Sequence, residues 1–118
     1  MKNDFGLSTI PGVKFLPSYG HRQRFQTHAF EGWLWDKESE FCIALRLEGA
    51  QLSFSWMQLV GLLLAANTAI DDGLFIEQNK MWMLRRYPGD LLPVEVEAKF
   101  AQQTVVARVL IDAGQTAR

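Results

Sequence analysis

The chain has 118 residues, and 12 Lys plus Arg against 13 Asp plus Glu leave a formal net charge of -1. Hydrophobic residues at 48% and charged residues at 21% are ordinary for one globular domain and exclude a wholly disordered chain. The charge balance excludes the broad basic footprint of a nucleic-acid binder, and the single Cys42 excludes an internal disulfide and a cysteine-built zinc site.

Residues 1–20 read MKNDFGLSTIPGVKFLPSYG. Gly6, Gly12, Gly20, Pro11 and Pro17 break any helix there. Phe5, Leu7, Ile10, Val13, Phe15, Leu16 and Tyr19 are nevertheless too apolar for a solvated tail. The segment is expected to be an extended arm that docks on its own domain or on a partner. It lacks the unbroken apolar run of ~7–15 residues that a secretory signal needs. The longest apolar stretch, Leu59–Ala66, is far shorter than the ~20 residues of a spanning helix. A soluble, cytoplasmic protein with no membrane association is the expectation.

Strands come next. Phe25, Thr27 and Ala29 alternate with Gln26, His28 and Phe30, and Trp33–Trp35 continue after a turn or bulge at Glu31-Gly32. A polar turn at 36–40 precedes Phe41, Ile43, Leu45 and Leu47, which alternate with Cys42, Ala44, Arg46 and Glu48. This is the strongest period-two signal in the chain. Gly49 turns the chain into a return strand over Leu52–Trp56. Ser55 then caps a predicted helix over Met57–Ile70. That helix is apolar nearly all round, so one side must meet the sheet and the other a second molecule.

Leu74–Ile76 form a short strand and Gln78-Asn79-Lys80 a turn. The return strand over Met81–Tyr87 puts Met81, Met83, Arg85 and Tyr87 on one face and Trp82, Leu84 and Arg86 on the other. Pro93 opens a final helix, with Glu95 and Glu97 near its positive end. Val96, Phe100, Gln103, Ala107 and Leu110 follow helical spacing, and Gly114 is its expected stop. The order arm-β-β-β-α-β-β-α defines an α+β fold, an antiparallel sheet packed with two main helices. Residues 21–114 form a single domain, and 115–118 are a tail.

Chemistry is sparse. His21 and His28 stand seven residues apart, outside any helical metal-pair spacing. Cys42 between Phe41 and Ile43 reads as a packed small hydrophobe rather than a nucleophile for His28. Gly6, Gly12 and Gly20 neither follow a strand nor open a helix, so they make no phosphate loop. Asp71-Asp72 reads as a helix exit, with no further ligand at calcium-loop spacing. No catalytic residue, cofactor or metal is expected. Arg22 and Arg24 beside Phe25, and Arg85-Arg86 beside Trp82 and Tyr87, allow a nucleic-acid face, which the charge balance disfavours. Four tryptophans and eight phenylalanines exceed what a small domain readily hides, which points to a protein partner. The candidate interaction residues are Leu59, Val60, Leu62, Leu63 and Leu64 on the first helix, with Phe75, Trp82 and Arg85.

The layout resembles class I type III secretion chaperones. The resemblance runs over roughly 25–113. It rests on the strand-rich start, the helix ending Leu63-Leu64-Ala65-Ala66-Asn67, Gly73-Leu74-Phe75-Ile76, the run Met81-Trp82-Met83-Leu84-Arg85-Arg86-Tyr87-Pro88 and the closing helix. It implies a small, dimeric, cytoplasmic, non-enzymatic protein that binds effectors or gatekeepers for export. Members usually open with an amphipathic helix that helps build the substrate groove, and residues 1–20 cannot form one. The resemblance therefore implies a member that pairs with another chaperone-like or regulatory protein, as HrpV-like regulators of plant-pathogen secretion systems do. Effector or gatekeeper carriage is the alternative.

Overall fold

A computed structural model describes residues 6–18, 20–37, 39–48 and 72–116. A single 3₁₀ turn at Leu7–Thr9 precedes β1 (Lys14–Phe15), β2 (Arg22–Gln26), β3 (Glu31–Asp36), β4 (Glu40–Arg46), β5 (Asp72–Glu77) and β6 (Lys80–Pro88). One helix, α1 (Pro93–Thr116), follows. The six strands form one sheet in the order β1-β2-β3-β4-β6-β5, and every neighbouring pair is antiparallel. The fold is α+β. Among the described residues it has one α-helix, not the two expected. The predicted helix over 57–70 and the return strand over 52–56 lie outside the described residues.

The first hairpin departs from the expectation for a local reason. The apolar alternation over 25–30 reads as strand, but the chain reverses there. The Thr27 amide donates to the Phe30 carbonyl at 2.7 Å, and the Phe30 amide donates to the Thr27 hydroxyl at 2.9 Å. A hydroxyl that mimics a backbone turn needs no glycine or proline to announce it. Glu31-Gly32 is accordingly the start of β3 rather than a turn. Gly32 lies against Phe25, where a Cβ would come within 2.5 Å of the ring and 2.7 Å of the Ala44 carbonyl oxygen. The β5–β6 hairpin keeps its predicted position. Gln78 and Asn79 take φ values of 54° and 63°, the pair of left-handed residues that a two-residue turn between twisted strands requires.

Helix α1 begins as its sequence dictates. Pro93 occupies the first turn, and the Leu92 amide donates to Glu95 Oε1 at 2.9 Å, one half of a capping box. The helix runs on through Gly114 to Thr116 instead of stopping there. Its Val96, Phe100, Ala107, Leu110 and Ile111 close over Phe25, Leu34, Phe41, Ile43, Leu45, Met81, Met83 and Tyr87. Burial of each such side chain contributes ~1.5–3 kcal/mol. The N-terminal arm belongs to this core. Leu7 is fully buried, Ile10, Val13 and Phe15 pack half-buried against the same core cluster, and the Phe15 ring meets Phe25 edge-on at 6.5 Å. Between the two alternatives for its docking, the described part of the arm lies on its own domain.

Candidate protein-interaction surface

Strand periodicity divides the sheet. Phe25, Leu34, Ile43, Leu45 and Met83 face α1, while their neighbours Trp33, Trp35, Cys42, Ala44, Trp82, Leu84 and Phe75 face the other way. Trp33, Ala44 and Trp82 form the buried floor of this second face. Trp35, Phe75 and Leu84 pack against it half-buried. Phe75 and Trp82 are directly opposite across β5 and β6 and stack with ring centres 6.3 Å apart, and Trp33 sits 5.7 Å from Phe75. Aromatic pairs at these separations add to their area burial.

Cations cross this floor. The Arg22 guanidinium lies 4.3 Å over the Trp33 ring and 5.7 Å from Trp35, and Lys37 Nζ stands 4.8 Å over Trp35. Arg22 Nη1 donates to both carboxylate oxygens of Glu77 at 2.7 Å. Arg22 is on β2 and Glu77 on β5, with β3, β4 and β6 between them. Four flat-sheet spacings would separate those strands by ~19 Å. The ion pair therefore requires a strongly curled sheet, with this face concave and the Arg22–Glu77 strap spanning it. A cleft of about 490 Å³ opens beside the strap, lined by Arg22, Arg24, Glu31, Trp33, Glu77, Lys80 and Trp82 among others. Trp82 is buried, and its indole Nε1 has no hydrogen-bond partner among the described residues.

The charges around the cleft are balanced. Arg24 and Arg46 both reach Glu31, at 3.7 and 3.2 Å, and Arg86 reaches Glu40 at 3.5 Å. Pairs this exposed contribute ~0–1 kcal/mol each, so they set charge rather than stability. Of the arginines that suggested a nucleic-acid face, Arg85 is on the opposite side of the sheet. Its Nε and Nη2 donate to the two oxygens of Asp72 at 2.6 and 2.7 Å, and Nη1 reaches the Lys99 carbonyl oxygen at 3.4 Å.

The structure thus brings together Phe75 and Trp82, and it separates Arg85 from them. Leu59, Val60, Leu62, Leu63 and Leu64 lie outside the described residues. Sequence reasoning missed Trp33, Trp35 and the Arg22–Glu77 strap. Their shared face follows from period two, but their adjacency to Trp82 depends on strand order, which the sequence does not print. Cys42 is buried on the aromatic face opposite Trp35 and Arg86, and burial, the largest influence on it, pushes its thiol pKa up. His28 belongs to the 27–30 turn on the helix side, so the two do not form a nucleophile–base pair. No cluster of three His, Cys, Asp or Glu among the described residues is placed to hold a metal. None of the described helices is long and apolar enough to cross a membrane.

No protein-family model matches the chain, and no curated protein matches its sequence.

Proposed function

We propose that this is a non-enzymatic binding protein, chaperone-like in the sense of type III secretion, that regulates a secretion system by holding another chaperone-like or regulatory protein in the cytoplasm. One observation carries the reading. The concave face joins half-buried Trp35, Phe75 and Leu84 to a Trp floor, and Arg22, Arg24 and Arg86 beside it are already matched by carboxylates. Aromatic residues with arginine, and little net charge, are the composition of a protein interface core. A phosphate backbone would instead call for uncompensated cations. The same observation favours protein over nucleic acid as the occupant. Residues 1–20, whose prolines and glycines break an amphipathic helix, favour regulation.

Affinity capture from the native cytoplasm with the wild-type chain, Phe75→Ser and Arg24→Glu tests the proposal. The wild type and Arg24→Glu are expected to retain the same secretion-system protein, identified by mass spectrometry, and Phe75→Ser to lose it. Recovery of nucleic acid that Arg24→Glu abolishes would overturn the reading.

A further inference from the structure

Helix α1 is apolar on two sides. Its inner side is the core. Its outer side, turned directly away from the sheet, carries Val94, Ala98, Ala101, Val105 and Val109, all exposed. Val94 and Val105 are 68% and 63% exposed, where a solvated helix face would place charge. The spacing of four, three, four and four residues keeps these side chains in one seam down the helix.

The charges beside the seam say what covers it. Glu97 and Arg108 are eleven residues apart, close to three whole turns, so they stand on the same flank about 16 Å from each other. An antiparallel partner with the same sequence, related by a two-fold axis beside residues 102–103, brings like flanks together. Glu97 of each chain then meets Arg108 of the other, twice. The same axis sets the partner's Val105 at the height between Ala98 and Ala101, and its Val109 between Val94 and Ala98. The apolar side chains interdigitate instead of colliding. A parallel pairing would carry the Glu97–Arg108 flanks of the two chains to opposite sides of the seam, where they do not meet. Arg108 keeps its place over the Phe30 ring, 5.4 Å away, at the rim of the seam.

We infer that the outer face of α1 binds a second copy of this chain, antiparallel, through the Val94–Val109 seam and reciprocal Glu97–Arg108 pairs. The seam is on the opposite side of the sheet from the aromatic cleft. A pair formed this way presents two clefts outward and holds two partner molecules.

Sedimentation velocity over a concentration series, with circular dichroism as the check on folding, tests this. The wild type is expected to dimerise and Val105→Glu to stay monomeric with unchanged secondary structure. Glu97→Arg and Arg108→Glu should each weaken the dimer ~10-fold, and the double exchange should restore most of that loss, because the reversed pairs attract again. A wild type that remains monomeric throughout overturns the inference. So does a dimer indifferent to Val105→Glu, which would use another surface, or a double exchange no better than either single variant, which would leave Glu97 and Arg108 unpaired.

Discussion

The two faces of the one sheet are finished by different chemistry. On the helix side, α1 closes over aliphatic and aromatic side chains, and the buried polar groups there are matched. Tyr87 donates its hydroxyl hydrogen to Gln103 Oε1 at 2.7 Å, and Gln103 Nε2 donates to the Ile43 carbonyl at 2.8 Å. The Arg85–Asp72 pair, 10% and 2% exposed, locks β5 to β6 beneath the helix. On the concave side, tryptophans make the floor, half-exposed cations cover it, and the Trp82 indole N–H has no acceptor among the described residues. A closed core tolerates no orphaned polar group without a cost of ~1–3 kcal/mol. The comparison separates a closed core, where stability resides, from the face proposed for binding.

The sharpest way to break the helix side is Asp72→Ala. It removes the carboxylate that both Nε and Nη2 of the buried Arg85 bind, and a loss of about 3–5 kcal/mol is expected in urea unfolding. A loss under 1 kcal/mol would show the pair to be as dispensable as those on the concave side. Gln103→Leu keeps the volume but removes the acceptor of the buried Tyr87 hydroxyl and one donor to the Ile43 carbonyl, and should cost about 2–3 kcal/mol by the same measurement. Tyr87→Phe in that background should recover part of the loss.

Alkaline titration probes the same network. Burial pushes the Tyr87 phenol pKa far above its ordinary value. The unfolded chain then releases this proton first, so stability should fall as pH rises beyond about 10, the unfolded phenol value. Below that pH the contribution is intact. Tyr87→Phe should flatten the fall, and an unchanged alkaline limb would exclude Tyr87 as its source.

The concave side should respond more softly. Cys42→Ala removes a small buried side chain and should cost ~1 kcal/mol. Because its thiol is buried with a raised pKa, maleimide labelling at neutral pH should be slow in the native protein and fast in urea. Rapid native labelling would show that this face opens readily. The smallest stability effect belongs to Arg22→Ala, at most ~1 kcal/mol, since the strap is a surface pair. Its signature is spectroscopic. Removing the guanidinium from Trp33 should shift tryptophan emission to the red and raise quenching by acrylamide, while the melting temperature barely moves.

Much of the fold was legible in the residues themselves. Alternation over 41–47 and 81–87 assigned both faces of β4 and β6, because strand geometry sends successive side chains to opposite sides whatever the neighbours are. Pro93, Glu95 and the Val96–Leu110 spacing located α1, since the first turn and the buried stripe are local properties. The class of surface, aromatic and nearly neutral in charge, was also readable from composition. The turn at 27–30 was not, because a threonine hydroxyl does the work that glycine or proline usually signals. Gln103 could be placed on the buried stripe, but nothing local showed that Tyr87 and Ile43 would satisfy it. The candidate site needed the tertiary structure most. Phe75 and Trp82 share a hairpin, whereas Trp33, Trp35, Arg22 and Glu77 join them only when the sheet is ordered β2-β3-β4-β6-β5 and curls. Sequence determined which side chains each strand sends to each side; long-range pairing and sheet curvature, which depend on contacts tens of residues apart, decided which of them meet.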